Sequence, residues 1–176
     1  ALGESMLLTG ATFSDAKTWD SWTVAAFACA FVTALAMWWL YFDVVAVVAE
    51  RRLASLTGRA QTAMARDSYS YIHLFMVFGI VLTALGLKKT LINIGDPLKA
   101  VADVALFGGV ALYLLGHVAF RLRNIGSLNV QRLVLAVVLL ALIPAGLVLS
   151  AQVSLTILTA LLVGLVAYEA LRFRGM

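Results

Sequence analysis

From Ser68 to Leu87 the chain carries no Asp, Glu, Lys or Arg. At about 1.5 Å of rise per residue such a run, once helical, crosses the roughly 30 Å hydrocarbon core of a bilayer. Lipid offers backbone N–H and C=O groups no partner, so a run of this kind is committed to helix. Similar runs recur before and after it. Together they predict an all-α, polytopic helical membrane protein with about five complete transmembrane helices, over about 22–46, 69–87, 98–120, 130–149 and 155–172. Composition agrees, with 63% of the residues apolar and 12% charged, against about 25% charged in soluble domains, and a mean hydropathy of +1.00. No internal repeat, low-complexity tract or linker divides the 176 residues, so a single membrane domain is expected.

The basic residues report how the helices are threaded. In this topology Arg51, Arg52, Arg59, Arg66, Arg121, Arg123, Arg132, Arg172 and Arg174 fall on one side, and Lys17, Lys88, Lys89 and Lys99 on the other. The excess of basic charge marks the arginine side, and with it the C-terminus, as cytoplasmic. The net charge of +4 sits in short connections between apolar runs, not in the single stripe that nucleic acid requires, so no nucleic-acid partner is expected. Cys29, the single cysteine, lies mid-span between Ala28 and Ala30; it reads as a small packing residue and says nothing of redox compartment.

The segment Ala1 to Gly10, ALGESMLLTG, reads as the last turns of a helix that began earlier. It has neither an initiator methionine nor the basic start and small-residue cleavage site of a signal peptide. The chain is therefore expected to be a fragment of a longer protein, with 1–10 a partial span and Glu4 an intramembrane carboxyl group. The alternative is a surface lead-in over Ala1 to Asp20 with Glu4 in water.

Ionisable and polar aromatic residues inside apolar runs mark the candidate site, because burying them in lipid without a partner is costly. WWLYFD, Trp38 to Asp43, closes the first full span, and Trp39 and Asp43, four apart, share a helix face. Asp43 reads equally as an interfacial acid in an aromatic belt and as an inward-facing acid. In RDSYSYIHLFMVFG, Arg66 to Gly79, the spacing puts Tyr69, His73, Met76 and Ile80 on one stripe. Gly79, Thr83 and Gly86 make a second, small-residue stripe suited to close helix packing. LYLLGHVAFRLR repeats the pattern with Tyr113 and His117 on one face. Asp43 ends an outgoing span, His73 begins the returning one and His117 ends the next. The three are thus expected at similar depth in the cytoplasmic half, joined by a hydroxyl of Tyr41, Tyr69 or Tyr113. Asp103 reads as a first-turn acid favoured by the helix dipole, and Glu169 as pairing along its own helix with Arg172.

LGES near the start, WWLYFD, RDSYSYIHLFMVFGI and LYLLGHVAFRLR resemble, in this order, the signature segments of the bacterial low-temperature-requirement protein A (LtrA) family. The resemblance runs from Ala1 to about Arg123, and the last two spans match in hydropathy alone. Family members are longer, with LGES near their middle, so the resemblance implies the C-terminal half of a bacterial inner-membrane protein. Where members often have proline after the His-Leu pair, this chain has Phe75. The family name records a cold-growth phenotype and no reaction. It directs attention to Glu4, Asp43, His73 and His117 and gives them no role.

Three function classes stay open. Imidazole and carboxyl groups buried among helices are the material of proton relays and ion pathways. They suggest proton-linked transport or conduction through a cluster drawn from Glu4, Asp43, His73, His117, Tyr69, Tyr113 and Trp39. The same groups can instead fasten helices together in a structural or accessory protein that supports growth at low temperature. A metal hydrolase is the third class, since two histidines and a carboxylate are a ligand set for zinc. The sequence has no HExxH, no paired cysteine and no serine in a nucleophile elbow, so no catalytic residue, metal or cofactor is assigned. The expected partners are the lipid bilayer, the missing N-terminal half of the same protein and, as an option, a second copy of the chain.

Overall fold

The structure is a computed structural model and describes residues 2–3, 6–7, 10–11, 20–42 and 45–173. Its elements are α1 (Ser21–Phe42), α2 (Val45–Ala54), α3 (Gly58–Ile92), α4 (Ala100–Ile125), α5 (Val130–Gly146) and α6 (Ala151–Phe173). Helices α1, α3, α4 and α6 are each long and apolar enough to cross a membrane, and α5 is a shorter apolar helix. The polytopic all-α architecture expected from the apolar runs is therefore the one observed. Among the described residues there is no strand, only an isolated backbone bridge between Pro97 and Ser150.

The helices differ from the expected spans at their ends, for local reasons. Asp20 caps α1 by accepting from the Thr23 N–H at 2.9 Å, and hydrogen bonds from Thr23, side chain first and then backbone, hold its carboxyl below the usual range. Helix α6 starts at Ala151 and not near 155, because Ser150 acts as its cap: the carbonyl accepts from the Ser154 N–H at 3.0 Å and the hydroxyl from the Val153 N–H at 3.4 Å. Helix α4 ends at Gly126, whose φ of 75° suits glycine and closes the helix onto the Leu122 carbonyl at 3.0 Å. At the lysine-bearing end the connections are tied together, with Ala151 N–H donating to the Asp96 carbonyl at 2.9 Å and Gln152 N–H to the Ile94 carbonyl at 3.2 Å.

Helix α4 is the central rod. Its most apolar stretch is 72% buried, against 39% for α3, and it packs on both α3 and α5 while α1 packs on α6. The α3–α4 seam is the small-residue stripe read from the sequence. A Cβ at Gly79 would lie 2.7 Å from the Tyr113 backbone nitrogen, one at Gly86 2.5 Å from the Leu106 Cα, and one at Gly109 2.6 Å from the Thr83 nitrogen. Only hydrogen fits there, so the two backbones touch. Each of these helices also contains a π-helical stretch, Ala65–Ile72 in α3 and Val104–Gly108 in α4. The wider i→i+5 turn shifts the register of everything on either side of it. In α3 the shift ends directly at His73.

Candidate functional site

Helices α1, α3 and α4 bring four of the aromatic and imidazole side chains together. Tyr113 on α4 is fully buried and donates from its hydroxyl to the Met37 carbonyl of α1 at 2.6 Å. One turn on, His117 is 1% exposed, with Nδ1 2.9 Å from the Tyr113 carbonyl and its ring 4.3 Å from the Tyr113 ring. A carbonyl oxygen only accepts, so Nδ1 carries the proton and Nε2 is left as the reactive nitrogen. Tyr41 of α1 makes edge contacts with both imidazoles, its ring 5.8 Å from His73 and 6.1 Å from His117. His73 Nδ1 and His117 Nε2 are both buried and have no hydrogen-bond partner among the described residues. A buried polar atom in that state costs about 1–3 kcal/mol.

Three of the four, Tyr41, His73 and Tyr113, border a cleft of about 410 Å³ together with Trp38, Met76 and Ile80, and with Leu2 and Gly3 from the start of the chain, while His117 is not part of its lining. Met76 and Ile80 thus share the face of His73 that the spacing predicted. Tyr69 does not. It is 37% exposed and packs edge-on against Phe120 at 5.5 Å, because the π-helical turns between it and His73 break the α spacing. Trp39 is 46% exposed and it is Trp38 that borders the cleft. Glu4 and Asp43, the two carboxyl groups of the expected cluster, lie outside the described residues. Among those described, no three His, Cys, Asp or Glu side chains gather as a metal-ligand set.

Two buried acids behave differently from the sequence reading. Glu169 does not pair with Arg172 but reaches across to α5, where Arg132 grips it with Nε at 2.9 Å and Nη2 at 2.7 Å while Asn129 donates at 3.4 Å. Local spacing favoured the neighbour on the same helix, and the contact that wins is 37 residues away, between side chains only 4% and 10% exposed. Arg172 instead donates to the Tyr168 hydroxyl at 3.2 Å. A basic residue three positions after the Asn129 cap of α5, in an otherwise mostly apolar helix, was the available signal. Asp103 is in the first turn of α4 as expected, yet it is fully buried against Gly146, and neither carboxylate oxygen has a partner among the described residues.

Comparison with known proteins matches residues 1–167 to the family described as Bacterial low temperature requirement A protein (LtrA). The chain belongs to the LtrA family. An uncharacterized protein of Rhizobium meliloti (strain 1021) is 36% identical over 121 residues, which are 66% of this chain and 28% of that protein. The chain therefore aligns with well under a third of the length of that relative. No solved structure matches the chain.

Proposed function

We propose that this chain is the C-terminal half of a multi-pass protein of the bacterial inner membrane, with its arginine-rich side and C-terminus in the cytoplasm. In this reading it carries protons, alone or with a solute, through the polar cluster where α1, α3 and α4 meet. The observation that supports this most is the pair of imidazoles, His73 at the cleft and His117 in the core, both against the Tyr41 ring, each with a buried nitrogen that has no hydrogen-bond partner among the described residues. Imidazole can both accept and return a proton, so such a pair has the chemistry a relay uses. Because His117 Nδ1 is committed to the Tyr113 carbonyl, His117 takes up and returns its proton at Nε2 alone. The sequence reading adds the carboxyl groups of Asp43 and Glu4 to the path, both outside the described residues.

A second reading has its own support. The Tyr113 to Met37 hydrogen bond and the glycine seam are fastenings, and interhelical hydrogen bonds in membranes are worth only about 0.6 kcal/mol each on average. On that reading the protein is a structural or accessory component for growth in the cold. Reconstitution of the full-length protein in liposomes separates the two. Transport predicts a pH-dependent flux that His73→Ala and Asp43→Asn abolish while the protein stays folded. The structural reading predicts no flux in any variant and a lowered melting temperature in detergent.

A further inference from the structure

At the end of α5 and α6 remote from their connecting turn lies a second cavity, a groove of about 940 Å³ between the two helices. Its walls are aliphatic, formed by Val134 and Val138 of α5 and Leu161 and Leu165 of α6. The groove runs about 16 Å along α6 from Leu161 to Arg172, at 1.5 Å per residue, which is on the scale of an extended acyl chain. Its mouth is cationic, with Arg121 and Arg172 both bordering it. Neither makes an ion pair among the described residues: Arg121 donates to the Ser127 hydroxyl at 2.9 Å and Arg172 to the Tyr168 hydroxyl. The acid at the mouth, Glu169, is already neutralised by the two-point contact from Arg132, so the two rim arginines are left as net positive charge above an apolar slot.

We infer that this groove binds one anionic phospholipid, its phosphodiester between Arg121 and Arg172 and one acyl chain between Val138 and Leu161. The match is of charge as well as shape. Guanidinium groups hold phosphate oxygens by paired hydrogen bonds, and basic pockets between transmembrane helices attract anionic headgroups by roughly a fivefold gain in affinity per arginine. The carboxylate that would repel such a headgroup is the one that Arg132 has taken out of play. The inference is independent of transport, since the groove shares no residue with the cleft at His73.

The experiment uses the full-length protein, purified in detergent and presented with phosphatidylglycerol or phosphatidylcholine of identical acyl chains, with retained lipid counted by native mass spectrometry. The expected result is one retained phosphatidylglycerol, preferred over phosphatidylcholine by about 25-fold for the two arginines together. That preference disappears in Arg121→Gln/Arg172→Gln. Arg172→Gln alone, which gives up only the bond to Tyr168, lowers it about fivefold and serves if the double variant fails to fold. Val138→Trp fills the slot and lowers retention of both lipids. Equal retention of the two lipids by the parent protein would overturn the inference, as would a preference indifferent to either arginine. Displacement of the lipid preference by inorganic phosphate with no effect of Val138→Trp would mark a free-anion site instead. Cross-linking of a cysteine at position 138 to the N-terminal portion of the same protein would show the groove filled by protein and also overturn it.

Discussion

Two buried polar clusters in this protein make a useful contrast. At Arg132 and Glu169 a charge meets an opposite charge by two short hydrogen bonds, with Asn129 adding a third contact. At His73 and His117 the imidazoles meet aromatic rings, and each keeps a buried nitrogen without a partner among the described residues. The first cluster is neutral as a charge pair and joins α5 to α6, although Arg132 Nη1 is left without a partner among the described residues; the second has no counter-charge among the described residues, and there His73 borders a cleft while His117 is buried against Tyr113. Satisfied buried charge is expensive to break and offers nothing to a passing ion, whereas an open imidazole costs stability and keeps a proton acceptor available. On the proposed reading, the first cluster fastens helices and the second carries the function.

The largest expected effect comes from breaking the charge-paired cluster. Glu169→Ala leaves the Arg132 guanidinium buried without its counter-charge, and unfolding in detergent should register a loss of about 3–5 kcal/mol. Replacing both partners, Arg132→Met/Glu169→Leu, should recover most of that loss, since the penalty belongs to the orphaned charge. A double variant as unstable as the single one would show that the pair does more than neutralise itself.

Next comes the seam that brings the imidazole cluster together. Gly109→Ala forces a methyl to within 2.6 Å of the Thr83 backbone nitrogen, so α4 must move away from α3, at a cost of about 1–3 kcal/mol measured by thermal unfolding. The same displacement moves His117 relative to His73, so any flux should fall with it. Smaller still is Tyr113→Phe, which removes one hydroxyl bonded to the Met37 carbonyl. Stability should drop by about 0.6 kcal/mol, up to about 1.7, the range for interhelical hydrogen bonds in membranes. A drop as large as that of Glu169→Ala would place Tyr113 among the fastenings and blur the contrast.

The fold was legible because apolar runs of membrane-crossing length leave the backbone little choice, and Gly79, Thr83 and Gly86 announced the tightest seam. The stripe of His73, Met76 and Ile80 was legible for the same reason, being ordinary α-helical spacing. Tyr69 was not, because a π-helical stretch leaves no signature in hydrophobic periodicity and moves every residue before it onto another face. Trp38 and Trp39 are neighbours in a run of aromatic residues and both are exposed, and which of them borders the cleft is decided by packing against other helices, not by the run itself. Glu169 was misread because side-chain pairing within one helix can be counted from spacing, while a partner on the preceding helix cannot. The burial of Asp103 against Gly146 has the same origin in tertiary contact.

The most direct test measures both clusters in one assay. Full-length protein carrying His73→Ala and, separately, Arg132→Met/Glu169→Leu is reconstituted in liposomes, and the initial rate of pH-driven proton uptake is compared with the parent after matching for folded protein. The account predicts uptake abolished by His73→Ala at unchanged folding and retained in the ion-pair variant. Uptake retained without His73, or lost only when Arg132 and Glu169 are replaced, would contradict it.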